Sequence, residues 1–210
     1  MIFSRKTDLP DVAEALPGRD TRPFAVGDKH LVLGNPIETD APEGFEEVVV
    51  GLGCFWGEEK TFWEVPGVWS TSVGYAGGVT ANPTYEEVCT GRTGHAEVVR
   101  IIFDPAVVSF QQILQVFWEN HDPTQGMRQG NDRGSQYRSI ILTTTPEQQK
   151  LAEESRDHYQ EKMTKAGYGQ ITTSIQPLEH YYYAEDYHQQ YLVKNPFGYC
   201  PLHATGVAYA

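Results

Sequence analysis

Cysteine is scarce in this 210-residue chain, which has three: Cys54, Cys89 and Cys200. A small odd number cannot build a full disulfide framework. It suggests a reducing compartment, or thiols kept for chemistry. Positive charge is also short. Sixteen Lys and Arg stand against 28 Asp and Glu, a formal charge of -12 and a pI near 4.9. Such a balance argues against a nucleic-acid or anionic-membrane surface. No stretch approaches the roughly 20 apolar residues that cross a bilayer. The opening MIFSRKTDLP lacks both the apolar stretch of about 7–15 residues and the small-residue cleavage site of a leader, so a cytoplasmic protein is expected. Metal-ligand spacing is missing too. His121, His158, His180, His188 and His203 are scattered and the cysteines lie far apart, which speaks against a structural zinc site. No cofactor or metal is expected, and no internal repeat is visible.

What is present points to a folded domain. Hydrophobic residues make up 40% and aromatics 12%, with 12 Tyr and 4 Trp. Residues 1–44, interrupted by Pro10, Pro17, Pro23, Pro36 and Pro42, read as an irregular extension wrapping a domain that spans 45–210, with Phe24, Leu31, Val32 and Leu33 available to dock on it. Strands are predicted at 46–51, 69–75, 96–103, 137–144 and 171–178. Helices are predicted at 54–65, 85–89, from a Ser109 cap with Gln112 as its box partner, from Thr145 to about 166 with Pro146 in the first turn and Gln148 completing a box, and at 184–193. Residues 121–136 read as a polar loop. Strands mixed with helices without strict alternation favour an α+β sandwich.

The chemistry concentrates at Gly51-Leu52-Gly53-Cys54-Phe55-Trp56-Gly57. An apolar strand ends, glycines permit a sharp turn, and Cys54 stands where a helix begins. Free N–H groups and partial positive charge at a helix start stabilise a thiolate, so the thiol is expected to titrate below the ordinary value of about 8.5. The competing reading is a small buried thiol with no reactivity. A dinucleotide fingerprint fails because the third glycine comes one position late. In 96–103, Glu97 alternates with Val99, Ile101 and Phe103. If that face is buried, desolvation raises the carboxyl and leaves a general acid. If Ala96, Val98 and Ile102 form the core face, Glu97 is merely exposed. Pairing Cys54 with His95 or His188 would instead suggest a cysteine hydrolase.

Taken with GYAGG at 74–78, NPTYEEVC at 82–89, GHAEVV at 94–99, the run 117–139, YYAEDYHQQYL at 182–192 and KNPFGYC at 194–200, the GCFWG segment makes the chain resemble the peptide methionine sulfoxide reductases of the A class, from about residue 45 to 200. The extension also resembles that of longer bacterial members. The resemblance implies reduction of the S epimer of methionine sulfoxide, free or in oxidised proteins, back to methionine. It implies Cys54 as nucleophile, Glu97 as the acid on the sulfoxide oxygen, and Tyr85 and Tyr137 as hydroxyl donors to that oxygen. Phe55 and Trp56 are then walls around the substrate methyl group, Asp132 supports the site, and Cys200 is the resolving cysteine, with thioredoxin regenerating the thiols. Cys89 has no step. The fold expected for the chain is a two-layer sandwich with a mixed, mainly antiparallel sheet around a ferredoxin-like core, with irregular N- and C-terminal segments. One departure stands out: Ala208 occupies the position where relatives with a three-thiol relay carry a recycling cysteine. A relay of two thiols, Cys54 and Cys200, follows. Pro201 and the few glycines near it make for a stiff tail, which bears on how Cys200 reaches disulfide distance. Apart from a reductase and a hydrolase, a non-catalytic module binding methyl sulfoxide or methionine through aromatic rings fits the same residues.

Overall fold

Burial on both sides of its central strand organises this α+β chain. The computed structural model describes residues 7–199 and 203–210. In chain order its elements are β1 (Glu46–Gly51), α1 (Phe55–Trp63), β2 (Val68–Ala76), α2 (Tyr85–Cys89), β3 (Ala96–Phe103), α3 (Phe110–Glu119), β4 (Arg128–Gln129), β5 (Asp132–Arg133), a 3-10 turn (Ser135–Tyr137), β6 (Ile140–Thr143), α4 (Pro146–Lys165), β7 (Ser174–Pro177), β8 (Tyr181–Tyr183) and α5 (Tyr191–Lys194). Six strands form one sheet in the order β7-β6-β1-β3-β2-β8. All pairs are antiparallel except β6 with β7.

All eight residues of β3 are buried, as its apolar run requires of a strand covered on both faces. Val99, Ile101 and Phe103 join the main core with Phe55 and Phe62 of α1, Ile113, Leu114 and Phe117 of α3, and Tyr159 and Met163 of α4. Ala96 and Val98 face a smaller cluster with Val49, Ile140 and Leu142. Period-two alternation therefore puts Glu97 on the side of the main core, the first of the two readings above.

The helix caps follow from sequence with one correction. Ser109 and Gln112 form the expected reciprocal box, and Thr84 and Glu87 form another. At α4, Thr145 accepts the Gln148 N–H at 3.1 Å, but Gln148 does not return to the cap. Its Oε1 takes the Thr144 N–H at 3.1 Å and its Nε2 reaches the Glu47 carbonyl at 3.1 Å, so it stitches α4 to β1.

The remaining differences are local. The loop 121–136 contains the two-stranded β4–β5 hairpin, and the strand expected from 137 begins at Ile140 because Ser135–Tyr137 coils into a 3-10 turn. The strand expected over 171–178 narrows to Ser174–Pro177. The helix expected over 184–193 is replaced by turns and the short α5, with β8 just before them. β8 pairs with Gly74–Ala76, and a Cβ on Gly74 would collide with the Tyr182 carbonyl, so only glycine admits that strand. Gln190 takes φ 47°, which no helix continues through.

Residues 7–44 carry no helix or strand beyond an isolated bridge between Lys29 and Pro36. Val26 and Ile37 are buried and Leu33 packs on the core. Leu31 and Val32, expected to dock, are exposed. His30 takes the inward place instead, and its Nδ1 accepts the N–H groups of Val32 and Leu33 at 3.1 and 3.0 Å.

Candidate active site

The turn between β1 and α1 sets the thiol. Gly53 has φ +136°, and a Cβ there would lie 2.8 Å from the Gln129 side chain. Glycine thus lets the turn close against β4. Cys54 is the N-cap residue of α1, with extended backbone and no capping bond from its side chain, which leaves the thiol available. The Trp56 N–H, at the start of α1, favours the thiolate, as the positive end of a helix does.

Two carboxyls flank that turn. Glu58 Oε1 accepts the Leu52 N–H at 2.7 Å, and Glu97 Oε2 accepts the Phe55 N–H at 3.3 Å. Each leaves its other oxygen buried without a partner among the described residues. Glu97 is 1% exposed. Burial pushes its carboxyl up to about 8, against the Phe55 N–H and with a smaller push from Asp132. At neutral pH it therefore holds a proton. Because Oε2 is the hydrogen-bonded acceptor, the proton belongs on the unpartnered Oε1. Burial, with the charge of Glu97 second, raises Glu58 well above the usual carboxylate range.

The expected low thiol pKa is corrected. Burial pushes Cys54 up, and the charges of Glu97, Glu58 and Asp132 push the same way, while the Trp56 N–H opposes them. One helix end does not outweigh desolvation, the largest cause, joined by the nearby carboxyl charges once those groups ionise. Protonation of Glu97 removes the largest of those charges, so neutral acid and thiolate favour one another.

Tyr85 opens α2, where its N–H donates to Glu185 Oε1 at 2.8 Å, and the other oxygen of Glu185 takes the Tyr75 hydroxyl at 2.8 Å. Tyr137 closes the 3-10 turn. Burial first, then the charge of Glu97, raises both the Tyr85 and the Tyr137 phenols. Both stay protonated donors within electrostatic reach of Glu97. Cys89 and Tyr85 share a side-chain hydrogen bond, as their spacing of four on α2 allows. Asp132, on β5, receives the Tyr199 hydroxyl at 3.5 Å.

Phe55 and Trp56 part ways. Phe55 is fully buried between the rings of Tyr75 and His188, at 6.1 and 5.1 Å. Trp56 is partly exposed and lies against Tyr191, 3.8 Å away with planes 13° apart, and against His188 at 5.8 Å. Its Nε1 donates to His188 Nδ1 at 3.0 Å. Tyr191 and Tyr199, with Glu58, are the neighbours that sequence reading misses, and His188, weighed there only as a base for Cys54, is found against Trp56 instead. The two tyrosines lie within the stretches 182–192 and 194–200 quoted above, but nothing in their spacing aims them at the site.

Cys200 lies outside the described residues. On either side of it, Tyr199 reaches Asp132, and the His203 ring sits so close to Gly130 that a Cβ there would collide with it. The end of the tail is tied to α3 and α4: Tyr159 donates to the Val207 carbonyl at 2.9 Å, and the Tyr209 N–H to Glu119 at 2.7 Å.

The hydrolase pairing finds no support. His188 Nδ1 is taken by Trp56, and burial pushes its imidazole down to about 3. His95 bonds the Gly78 N–H and the Thr80 carbonyl at 3.1 and 2.7 Å. A thiol, a neutral buried acid and two phenols around one locus can instead protonate a basic oxygen while sulfur attacks its neighbour. Among the described residues no group of three His, Cys, Asp or Glu side chains suits a metal ion.

Comparison with known proteins follows the same line. The family model described as peptide methionine sulfoxide reductase matches residues 46–208. A peptide methionine sulfoxide reductase MsrA from Rhodospirillum centenum is 62% identical over 99% of this chain and 94% of its own. Methionine sulfoxide reductase A of Corynebacterium diphtheriae superposes with a TM-score of 0.87, at 50% identity, over 96% of this chain and 97% of its own. Mxr1 from Saccharomyces cerevisiae in reduced form gives 0.69 at 35% identity, over 79% and 94%. Mxr1 has also been solved in complex with Trx2.

Proposed function

The chain belongs to the peptide methionine sulfoxide reductase family, and from that premise we propose how its own residues carry out the thiol-dependent reduction of methionine sulfoxide. The substrate sulfoxide sits with its methyl group against Trp56 and its oxygen toward Glu97 Oε1, Tyr85 and Tyr137. A sulfoxide oxygen is basic but leaves poorly until protonated. Glu97 gives its proton while the phenols donate hydrogen bonds to the developing charge. As Glu97 gives its proton to the oxygen, the Cys54 thiol loses its own, which restores the Glu97 carboxyl, and the thiolate attacks the sulfur. The oxygen passes, as hydroxyl, from the methionine sulfur to Cys54. One S–O bond breaks and one forms, methionine is reduced by two electrons, and Cys54 becomes a sulfenic acid. The Cys200 thiol then attacks that sulfur, a disulfide forms and water leaves. An external dithiol, thioredoxin, returns both cysteines to thiols, a partner that the yeast Mxr1 complex with Trx2 supports.

One observation carries this reading: a fully buried carboxyl, held neutral to about pH 8, whose bonded N–H belongs to the residue next to Cys54. Cys89 takes no step. The anchored tail end, together with Tyr199 at Asp132, supports the assignment of Cys200 as the resolving thiol, because the described residues that flank it are held against the body of the chain. The order β1-α1-β2-β3-α3-β6, with those strands lying β6-β1-β3-β2 in the sheet, supports a ferredoxin-like core. Residues 1–44 would be an extension to a catalytic domain spanning 45–210, acting in the cytoplasm on free and protein-bound methionine sulfoxide. Net negative charge supports the absence of nucleic-acid partners. No helix of the described residues is long and apolar enough to cross a membrane.

The test is stoichiometric. Pre-reduced protein mixed with excess methionine S-sulfoxide and no other reductant should release about one methionine per chain and lose two thiols. Release without thiol loss would overturn the reading.

A further inference from the structure

We propose that the N-terminal segment, acting through His30, positions the aromatic wall of the active site. The inference rests on the reading of Trp56 as that wall. A continuous chain of buried hydrogen bonds connects the two. His30 Nδ1 accepts two backbone N–H groups, so its proton sits on Nε2, which donates to Thr71 Oγ1 at 2.8 Å. Thr71 Oγ1 in turn donates to Glu59 Oε1 at 3.1 Å. Glu59 then holds Gln190 twice: Oε1 takes its Nε2 and Oε2 its backbone N–H, both at 2.7 Å. The ring closes where Gln190 Oε1 accepts the Leu31 N–H at 3.3 Å. His30, Thr71, Glu59 and Gln190 are each at most 2% exposed.

Gln190 is the residue that needs holding. Its left-handed backbone is unfavourable for a side chain other than glycine, and the grip of Glu59 on both its amide groups compensates. Gln190 lies between His188 and Tyr191, the two rings set against Trp56. Gln189, next to it, is tied to both backbone groups of Val73 in β2, at 2.9 and 2.8 Å. Residues 30 and 31 therefore complete a frame in which β2, α1 and the segment 188–191 meet. They touch none of the reacting groups. Without His30, Thr71 loses a donor, Leu31 is no longer held at Gln190, and the segment bearing His188 and Tyr191 gains freedom. Substrate binding suffers, whereas the thiol and the acid, set by β1, β3 and the start of α1, do not move.

The experiment compares full-length His30→Ala, Thr71→Val and Thr71→Ser with the parent, measuring KM for methionine S-sulfoxide and the single-turnover rate of methionine release at saturation. Thr71→Val keeps the shape and removes the hydroxyl; Thr71→Ser keeps the hydroxyl. KM should rise on the order of tenfold in His30→Ala and Thr71→Val and return to within about twofold in Thr71→Ser, with saturated release within about twofold throughout. A KM within about twofold of the parent in both His30→Ala and Thr71→Val would overturn the proposal, as would a fall in saturated rate with KM unchanged. If His30→Ala does not fold, Thr71→Val decides alone. Trp56→Ala separates the premises. If its KM is not raised, the wall reading fails; if it is raised while the others are not, only the role of His30 fails.

Discussion

Glu97→Gln should slow methionine release in a single turnover by about 10²–10⁴-fold, the range that general acid catalysis supplies. Glutamine keeps the shape of the carboxyl and still accepts the Phe55 N–H, but it has no proton to give. Two further consequences distinguish this loss from simple damage. Because the charge of Glu97 is among the influences that raise the Cys54 thiol, its removal should make the thiol more acidic, so thiolate formation followed by pH-dependent alkylation should move to lower pH. The variant should thus be slower with a better nucleophile. It should also be more stable at slightly alkaline pH. Glu97 is neutral in the fold up to about pH 8, whereas in the unfolded chain it ionises near 4.3. A folded pKa above the unfolded one gives stability that is present in acid and lost as pH rises through the interval between the two. The glutamine variant has no such loss. Its advantage in thermal unfolding should be absent near pH 4 and grow to a few kcal/mol by about pH 8, at about 1.36 kcal/mol per unit as an upper scale. A single-turnover rate within about twofold of the parent would remove Glu97 from the mechanism.

Cys200→Ser should separate chemistry from recycling. The variant should release about one methionine per chain at a rate near the parent's and then stop, with turnover on thioredoxin reduced by at least about 10²-fold. A sulfenic acid on Cys54 should accumulate and be trapped by a small dione reagent. Full turnover on thioredoxin as sole reductant would contradict the role of Cys200. It would also point to Cys89, whose side chain meets Tyr85.

The legibility of the molecule follows its periodicity. β1, α2 and β3 have the bounds read from sequence, because the apolar runs Val48–Val50 and Ala96–Phe103 are local signals, and the Thr84–Glu87 box at α2 is a further local signal that sequence reading passes over. The central carboxyl is legible only in part: period two puts Glu97 with Val99 and Ile101, but the exposed alternative is excluded only by the packing on both faces of β3. Other features depend on long-range contact. The three tyrosines of β8 form a strand only because Gly74 admits Tyr182, more than a hundred residues away in the chain. His188 and Tyr191 reach Trp56 only because Gln190 breaks the helical pattern between them. The acidity of Cys54 is misread from sequence because a helix start is visible there, whereas its burial, and the three carboxyl groups of α1, β3 and β5 that converge on it, are not. Of the three thiols, what sequence says of Cys200 comes from its resemblance alone, because Cys200 lies outside the described residues.

The central claim is that two of three scarce cysteines exchange one oxidation between them. Mass mapping of thiols and disulfides, after one equivalent of methionine S-sulfoxide has oxidised the reduced chain, tests it most directly. The account predicts a Cys54–Cys200 disulfide with Cys89 still a thiol. A disulfide that includes Cys89, or a Cys54 left unmodified while methionine is produced, would contradict it.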